Sequence, residues 1–206
     1  MTKLLVIGDS ISVDYRKYLQ DYVGEDIKIF SKKGIEEAYK NLDLAVGANN
    51  GDSSTVLEYL EKLDKNDILK YDFCIFNCGL HDLKRDSKTL ELQVSETLYE
   101  ENLHKIIKLL QKNNIRMAFV TTTPSYRERY IGASFIRNIE DVIKYNEIAQ
   151  KVMSQYGIKV LDLYRFTLSL GLSNDLLFRD HTHFTDDVIR LQAAYISGWI
   201  NMFTSE

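Results

Sequence analysis

Short apolar runs alternate with longer amphipathic segments along this 206-residue chain, which points to parallel strands joined by helical crossovers. Residues 3–7 form a continuous β-rich run, and residues 26–31 alternate like a second strand. Three more strand-length runs cover 73–77, 115–121 and 158–161. Between them, helical spacing of apolar residues predicts helices over 13–23, 53–63, 90–113, 139–156 and from a cap at 185–187 to about 203. Asp52 or Ser53 is available as one N-cap, and Gly157 as a helix stop. The only proline, Pro124, opens a polar, arginine-bearing stretch over 125–138 that reads as a loop. The expectation is a three-layer α/β/α sandwich around a central, mainly parallel five-stranded sheet, as a single domain over residues 1–206. In such a sheet ligands bind beyond the carboxyl ends of the strands. Segments that directly follow strands therefore become the candidates for chemistry.

Composition narrows the partners. A net charge of −4 argues weakly against nucleic acid as the partner, because phosphate binding needs a basic face. No apolar stretch approaches the ~20 residues needed to span a bilayer, and residues 4–7 are too short for a signal-peptide core. Cys74 and Cys78, four residues apart in one run, would face the same side of a strand about 13 Å apart, too far for a disulfide. Two free thiols suit a reducing compartment, so the expectation is a cytoplasmic protein. No Cys/His cluster at ligand spacing suggests a metal, and no glycine-rich phosphate loop suggests a nucleotide. No cofactor is expected.

Three segments carry candidate chemistry. Gly8-Asp9-Ser10 follows the first strand and opens a helix, where free backbone N–H groups and the helix dipole favour negative charge. That suits a nucleophile whose attack creates an oxyanion, although Asp9 or Ser10 would equally serve as an ordinary cap. Near the C-terminus, Asp180-His181-Thr182-His183 supplies a base and an orienting acid. His183 with Asp180 is the preferred pair, with His181 competing as base and Asp186 and Asp187 as acids. Gly79-Leu80-His81-Asp82 follows the central strand and could complete an oxyanion hole, as could the backbone N–H of Gly51 in Asn49-Asn50-Gly51-Asp52.

Taken jointly, these segments resemble the SGNH hydrolases, the GDSL esterase/lipase family. Gly8-Asp9-Ser10-Ile11 matches the first block, with Ile11 where the family name has Leu. Gly51 is similar to the second-block glycine, and Asp180 to His183 forms the family's Asp-x-x-His, continued by Phe184-Thr185. The resemblance implies a flavodoxin-like SGNH fold, with Ser10 as nucleophile, His183 as base and Asp180 as orienting acid. It also implies an oxyanion hole from the N–H groups of Ser10 and Gly51 and a third-block side chain. There the family's Gly-x-Asn-Asp reads Gly79-Leu80-His81-Asp82, so His81 stands in place of the amide, and a neutral imidazole can donate one N–H.

The expected reaction is hydrolysis of a small acyl ester, O-acetyl by preference, through an acyl-enzyme. The expected partner is a small-molecule or glycan ester. The carbohydrate reading rests on aromatics near the predicted site (Tyr126, Tyr130, Phe135, Phe178, Phe184), for which core or ordinary surface packing is the equal alternative; Arg127 and Arg129 offer charge for an acidic group or pair with Glu128 and later acids at the surface. A lipid ester or thioester hydrolase, an acyltransferase and a non-catalytic carbohydrate-binding protein are the alternatives on the same fold.

Overall fold

The structure is a computed structural model that describes residues 1–130 and 132–204. Its main sheet has five strands: β1 (Thr2–Ile7), β2 (Ile27–Ser31), β3 (Phe73–Phe76), β5 (Arg116–Val120) and β7 (Lys159–Leu161). A short antiparallel pair, β4 (Arg85–Asp86) with β6 (Phe135–Ile136), stands apart. Strand order in the main sheet is β2-β1-β3-β5-β7, with every pairing parallel. The helices are α1 (Ser10–Tyr22), α2 (Ile35–Lys40), α3 (Ser53–Lys65), α4 (Glu96–Lys112), α5 (Ile139–Gln155), α6 (Leu163–Ser169), α7 (Asn174–Leu177) and α8 (Asp186–Thr204).

Alternating strand residues build two cores. Leu5, Ile7, Cys74, Phe76 and Phe119 face α3, α4 and α5. Leu4, Val6, Phe73, Ile75 and Val120 face α1 and α8. Burial on both faces is why the strands read as continuous apolar runs rather than alternating ones. Each fully buried Leu, Ile or Phe contributes about 1.5–3 kcal/mol, so the two layers hold the helices in place. Cys74 and Cys78 are both buried and free. At the β2 edge, Gln20 of α1 stands in for a further strand. Its Nε2 donates to Ile27 O (3.2 Å) and its Oε1 accepts from Ile29 N (3.0 Å). Among the described residues no helix is long and apolar enough to cross a membrane.

Two expectations from the sequence are corrected. The helix read over 90–113 begins at Glu96, because Ser95 accepts from Leu98 N (3.3 Å) and caps it, while Leu90 sits at φ 61°, outside helical space. Residues 85–92 instead form β4 and a bridge from Arg85 to Leu92. The loop over 125–138 contains a 3₁₀ turn (Arg127–Arg129) and β6.

Backbone bonds sew the strand-end loops together. Asn77 N donates to Ile7 O (3.0 Å) and Asn50 N to Gly8 O (3.0 Å). Asp82 accepts from Ser53 N with both carboxylate oxygens (2.9 and 3.0 Å), tying the loop after β3 to the start of α3. Burial pushes its carboxyl up to about 8, against the opposing pull of the Ser53 bonds and with help from Asp52. Gly79, at φ 151°, passes so close to the segment after β5 that a Cβ there would lie 2.1 Å from Thr122 Oγ1.

Gly79→Ala is therefore expected to destabilise the protein by about 1–3 kcal/mol through backbone strain, with the Thr122 clash adding to it, as read by denaturant unfolding. Asp82 gives a pH signature. Its folded pKa lies above the unfolded value of about 3.9, so the stability it contributes is full below that value and is lost as pH rises towards 8. In Asp82→Asn this loss should disappear. The difference in unfolding free energy, variant minus wild type, should grow between pH 4 and 8 and then level off; a difference that stays flat over that range would contradict the assignment.

Candidate active site

The site assembles where β1, β3 and the turn between α7 and α8 meet. Asp9 caps α1 by accepting from Ile11 N (3.0 Å), and this starts the helix at Ser10, three residues before the apolar periodicity suggests. Ser10 thus occupies the first helical position and is 2% exposed. Burial raises the Asp9 carboxyl above its ordinary range, opposed by the Ile11 bond and by the charges of Arg137 and His183.

Asp180 shapes its own turn. Its Oδ1 accepts from the backbone N–H of Thr182 and of His183, both at 2.8 Å. Arg179 N closes the turn on His183 O (2.9 Å). The remaining oxygen, Oδ2, accepts from His183 Nδ1 (2.8 Å). Burial alone would raise the Asp180 carboxyl, but the His183 ring and the two backbone bonds hold it well below the usual carboxylate range. An ionised carboxylate only accepts, so the hydrogen of neutral His183 is on Nδ1 and its Nε2 carries the lone pair. Nε2 lies 2.9 Å from Ser10 Oγ. Hydroxyl, imidazole and carboxylate stand in series with the polarity that moves a proton off the hydroxyl.

The competing residues lie elsewhere. His181 Nε2 donates to Asp43 Oδ1 (3.2 Å), and its ring packs at a tilt of 45° against Tyr130, 4.3 Å between centroids. The His181 bond and Arg137 outweigh burial at Asp43 and bring its carboxyl down to about 2. Asp186 binds Tyr18 and Arg190 at the surface.

The three candidate oxyanion donors differ in their engagement. Ser10 N, at the first position of α1, has no carbonyl one turn back to accept it. Gly51 adopts φ 71°, but its N–H donates to Asn49 Oδ1 (2.9 Å), so it is engaged within its own loop. His81 is buried, and its Nε2 has no hydrogen-bond partner. Burial first, then the charges of Lys84 and Arg137, drives the His81 ring well below the ordinary histidine range, which keeps it neutral. Asn77, by contrast, uses its amide on Val120 O (2.8 Å).

Several residues around the site were not singled out from sequence. Arg137, read as part of a polar loop, is 1% exposed; it donates to Leu80 O (2.7 Å) and Tyr130 Oη (2.8 Å) and lies 3.7 Å from Asp43. Lys84 donates to Asp43 O (2.5 Å). The amide of Asn50 is buried without partners. Lys84 and Asn50 lie close to the glycine segments in sequence, whereas Arg137 has no such signal.

Of the two readings of the aromatics, core packing holds for most of them. Phe178 and Phe184 stack on each other inside the core, with Tyr126 against them, and Tyr130 is buried with its hydroxyl bonded to Ser125 and Arg137. Phe135 instead borders an open cleft of about 530 Å³, shared with Asp43, Lys84, Glu91, Gln93 and Ser134. Arg129 pairs with Asp175 and Phe178 O rather than facing that cleft.

The family model of the GDSL-like lipase/acylhydrolase family matches residues 6–190. No curated protein is similar enough in sequence to count as a relative. Among solved structures, a lipase/acylhydrolase from Enterococcus faecalis superposes with a TM-score of 0.68 at 17% identity, covering 98% of this chain and 97% of that one. The acetyl xylan esterase AlAXEase gives 0.67 at 17% identity, over 96% and 99%. Est24, a carbohydrate acetylesterase from Sinorhizobium meliloti, gives 0.67 at 12% identity, over 98% and 100%. At these identities the structures establish a shared fold. With the family model spanning most of its length, the chain belongs to the GDSL-like lipase/acylhydrolase family of ester hydrolases.

Proposed function

We propose that this protein is a serine esterase that removes a small acyl group, O-acetyl by preference, from a carbohydrate. The observation that carries the reading is the series Ser10 Oγ, His183, Asp180, joined at 2.9 and 2.8 Å. His183 Nε2 takes the Ser10 proton as Oγ attacks the ester carbonyl. The developing oxyanion is met by the N–H of Ser10 and the Nε2–H of His81, with Gly51 joining once its bond to Asn49 opens. His183 then returns the proton to the departing alcohol, and water, activated by the same ring, hydrolyses the acyl-enzyme.

The cleft lined in part by Lys84, which contacts His81, supports a polar alcohol. Its volume of about 530 Å³ suits a small oligosaccharide segment, and Asp43, Glu91, Gln93 and Ser134 offer hydroxyl partners while Phe135 offers a ring face. A long acyl chain laid there would strip water from several carboxylates, which disfavours a lipid ester. A carbohydrate acetylesterase with the same fold is in keeping with this choice.

Hydrolysis of p-nitrophenyl acetate tests the chemistry. Ser10→Ala should lose about 10³-fold or more in kcat while unfolding normally, and an unchanged rate would remove Ser10 as nucleophile. A panel tests the substrate class. The ratio kcat/KM should fall as the acyl chain lengthens and should be higher on O-acetylated oligosaccharides than on p-nitrophenyl acetate. Rising activity with chain length would overturn the carbohydrate assignment.

A further inference from the structure

The value of His81 as a donor depends on which of its nitrogens holds the single hydrogen of the neutral ring. Nothing bonded to Nε2 decides this, because Nε2 has no partner. The other nitrogen, Nδ1, faces Lys84 Nζ at 3.3 Å. An ammonium has three hydrogens and no lone pair, so it can only donate. Nδ1 must therefore be the acceptor, and the hydrogen must be on Nε2. We propose that Lys84 is a positioning residue that locks His81 in the Nε2–H form and makes the imidazole equivalent to a one-way amide donor. The proposal rests on the esterase reading of Ser10, His183 and Asp180.

The surroundings hold Lys84 to this role. It is 8% exposed, its Nζ is anchored on Asp43 O (2.5 Å), and the Phe135 ring lies 4.6 Å from it. Arg137 is anchored on the carbonyl of Leu80, the residue before His81, and adds a second positive charge that keeps the ring neutral. An asparagine at position 81 would need no such partner, since its amide nitrogen always donates. A buried lysine three residues after a histidine at that position thus has a reason in the chemistry of the ring.

The lock also has a pH limit. Burial, then the charge of Arg137, brings Lys84 down to about 8, with Asp43, Asp9 and Asp52 acting in the opposite direction. His81 itself feels Lys84, Arg137, Asp43 and His183. Above that pH a neutral amine can accept as well as donate, the Nδ1–H form becomes allowed, and that fraction of molecules loses the donor.

A double-mutant cycle on p-nitrophenyl acetate hydrolysis separates this from a role in folding or substrate binding. Lys84→Met should lower kcat by about 10- to 100-fold, up to the range reported for loss of one oxyanion donor, with KM little changed. Lys84→Gln, whose amide still donates to Nδ1, should recover most of the loss. In the His81→Asn background the same Lys84→Met change should cost less than about 3-fold, because the amide needs no lock. Equal losses in both backgrounds would overturn the proposal. So would an alkaline fall in kcat near pH 8 that persists in His81→Asn. Nitrogen-15 NMR of ring-labelled protein reads the tautomer without any activity. Hydrogen on Nε2 of His81 in wild type, shifting to a mixture in Lys84→Met, is expected. Hydrogen on Nδ1 in wild type would sink the lock even if esters are cleaved. A correct tautomer in a protein that cleaves no ester would instead sink the esterase reading alone.

Discussion

The parallel alignment of β1 with β3 is the constraint on which the site depends. Parallel strands end at the same edge, and the bond from Asn77 N to Ile7 O continues the ladder one step beyond the strands. The serine loop and the His81 loop therefore leave the sheet side by side. The bond from Asn50 N to Gly8 O brings the Gly51 loop to the same point. The sheet thus supplies precision to residues that belong to no strand.

Ser10, His81, His183 and Asn50 are all buried at that edge, which sets the terms for its polar groups. Many of the buried polar groups there are paired: Asp82 and Asn49, for example, hold backbone N–H groups. Leaving a donor without a partner costs about 1–3 kcal/mol, so the few that stay free are informative. His81 Nε2 and the Asn50 amide are such groups. A hole that waits for a transient negative charge must keep its hydrogens uncommitted beforehand.

The parts of this arrangement legible in the sequence are the local ones. Ser10 follows directly from a strand, a glycine turn and a cap, and Asp180 reaches His183 because three residues of turn suffice. The five strands were legible because burial on both faces leaves them continuously apolar. Helices α2, α6 and α7 were not, since six, seven and four residues are too few for a helical period to register. The start of α4 was misread because Leu92 and Val94 extend the apolar period past the Ser95 cap. Arg137 and Lys84 were missed for another reason. Their roles come from partners such as Leu80, Asp43 and Tyr130, brought together mainly by tertiary structure. A charged residue in a loop gives no sign in sequence that it will be buried.

The amide of Gln20 has a consequence beyond its own helix. An open sheet ends in a row of unpaired donors and acceptors that invites another chain to add a strand. On β2 two of those groups, Ile27 O and Ile29 N, are already taken by a side chain that mimics a neighbouring backbone. At the opposite margin β7 is only three residues long, too short to template much pairing. Both margins of the sheet are thus closed to strand addition, one by imitation and the other by brevity, so growth into ordered fibres from the native state has no ready starting edge.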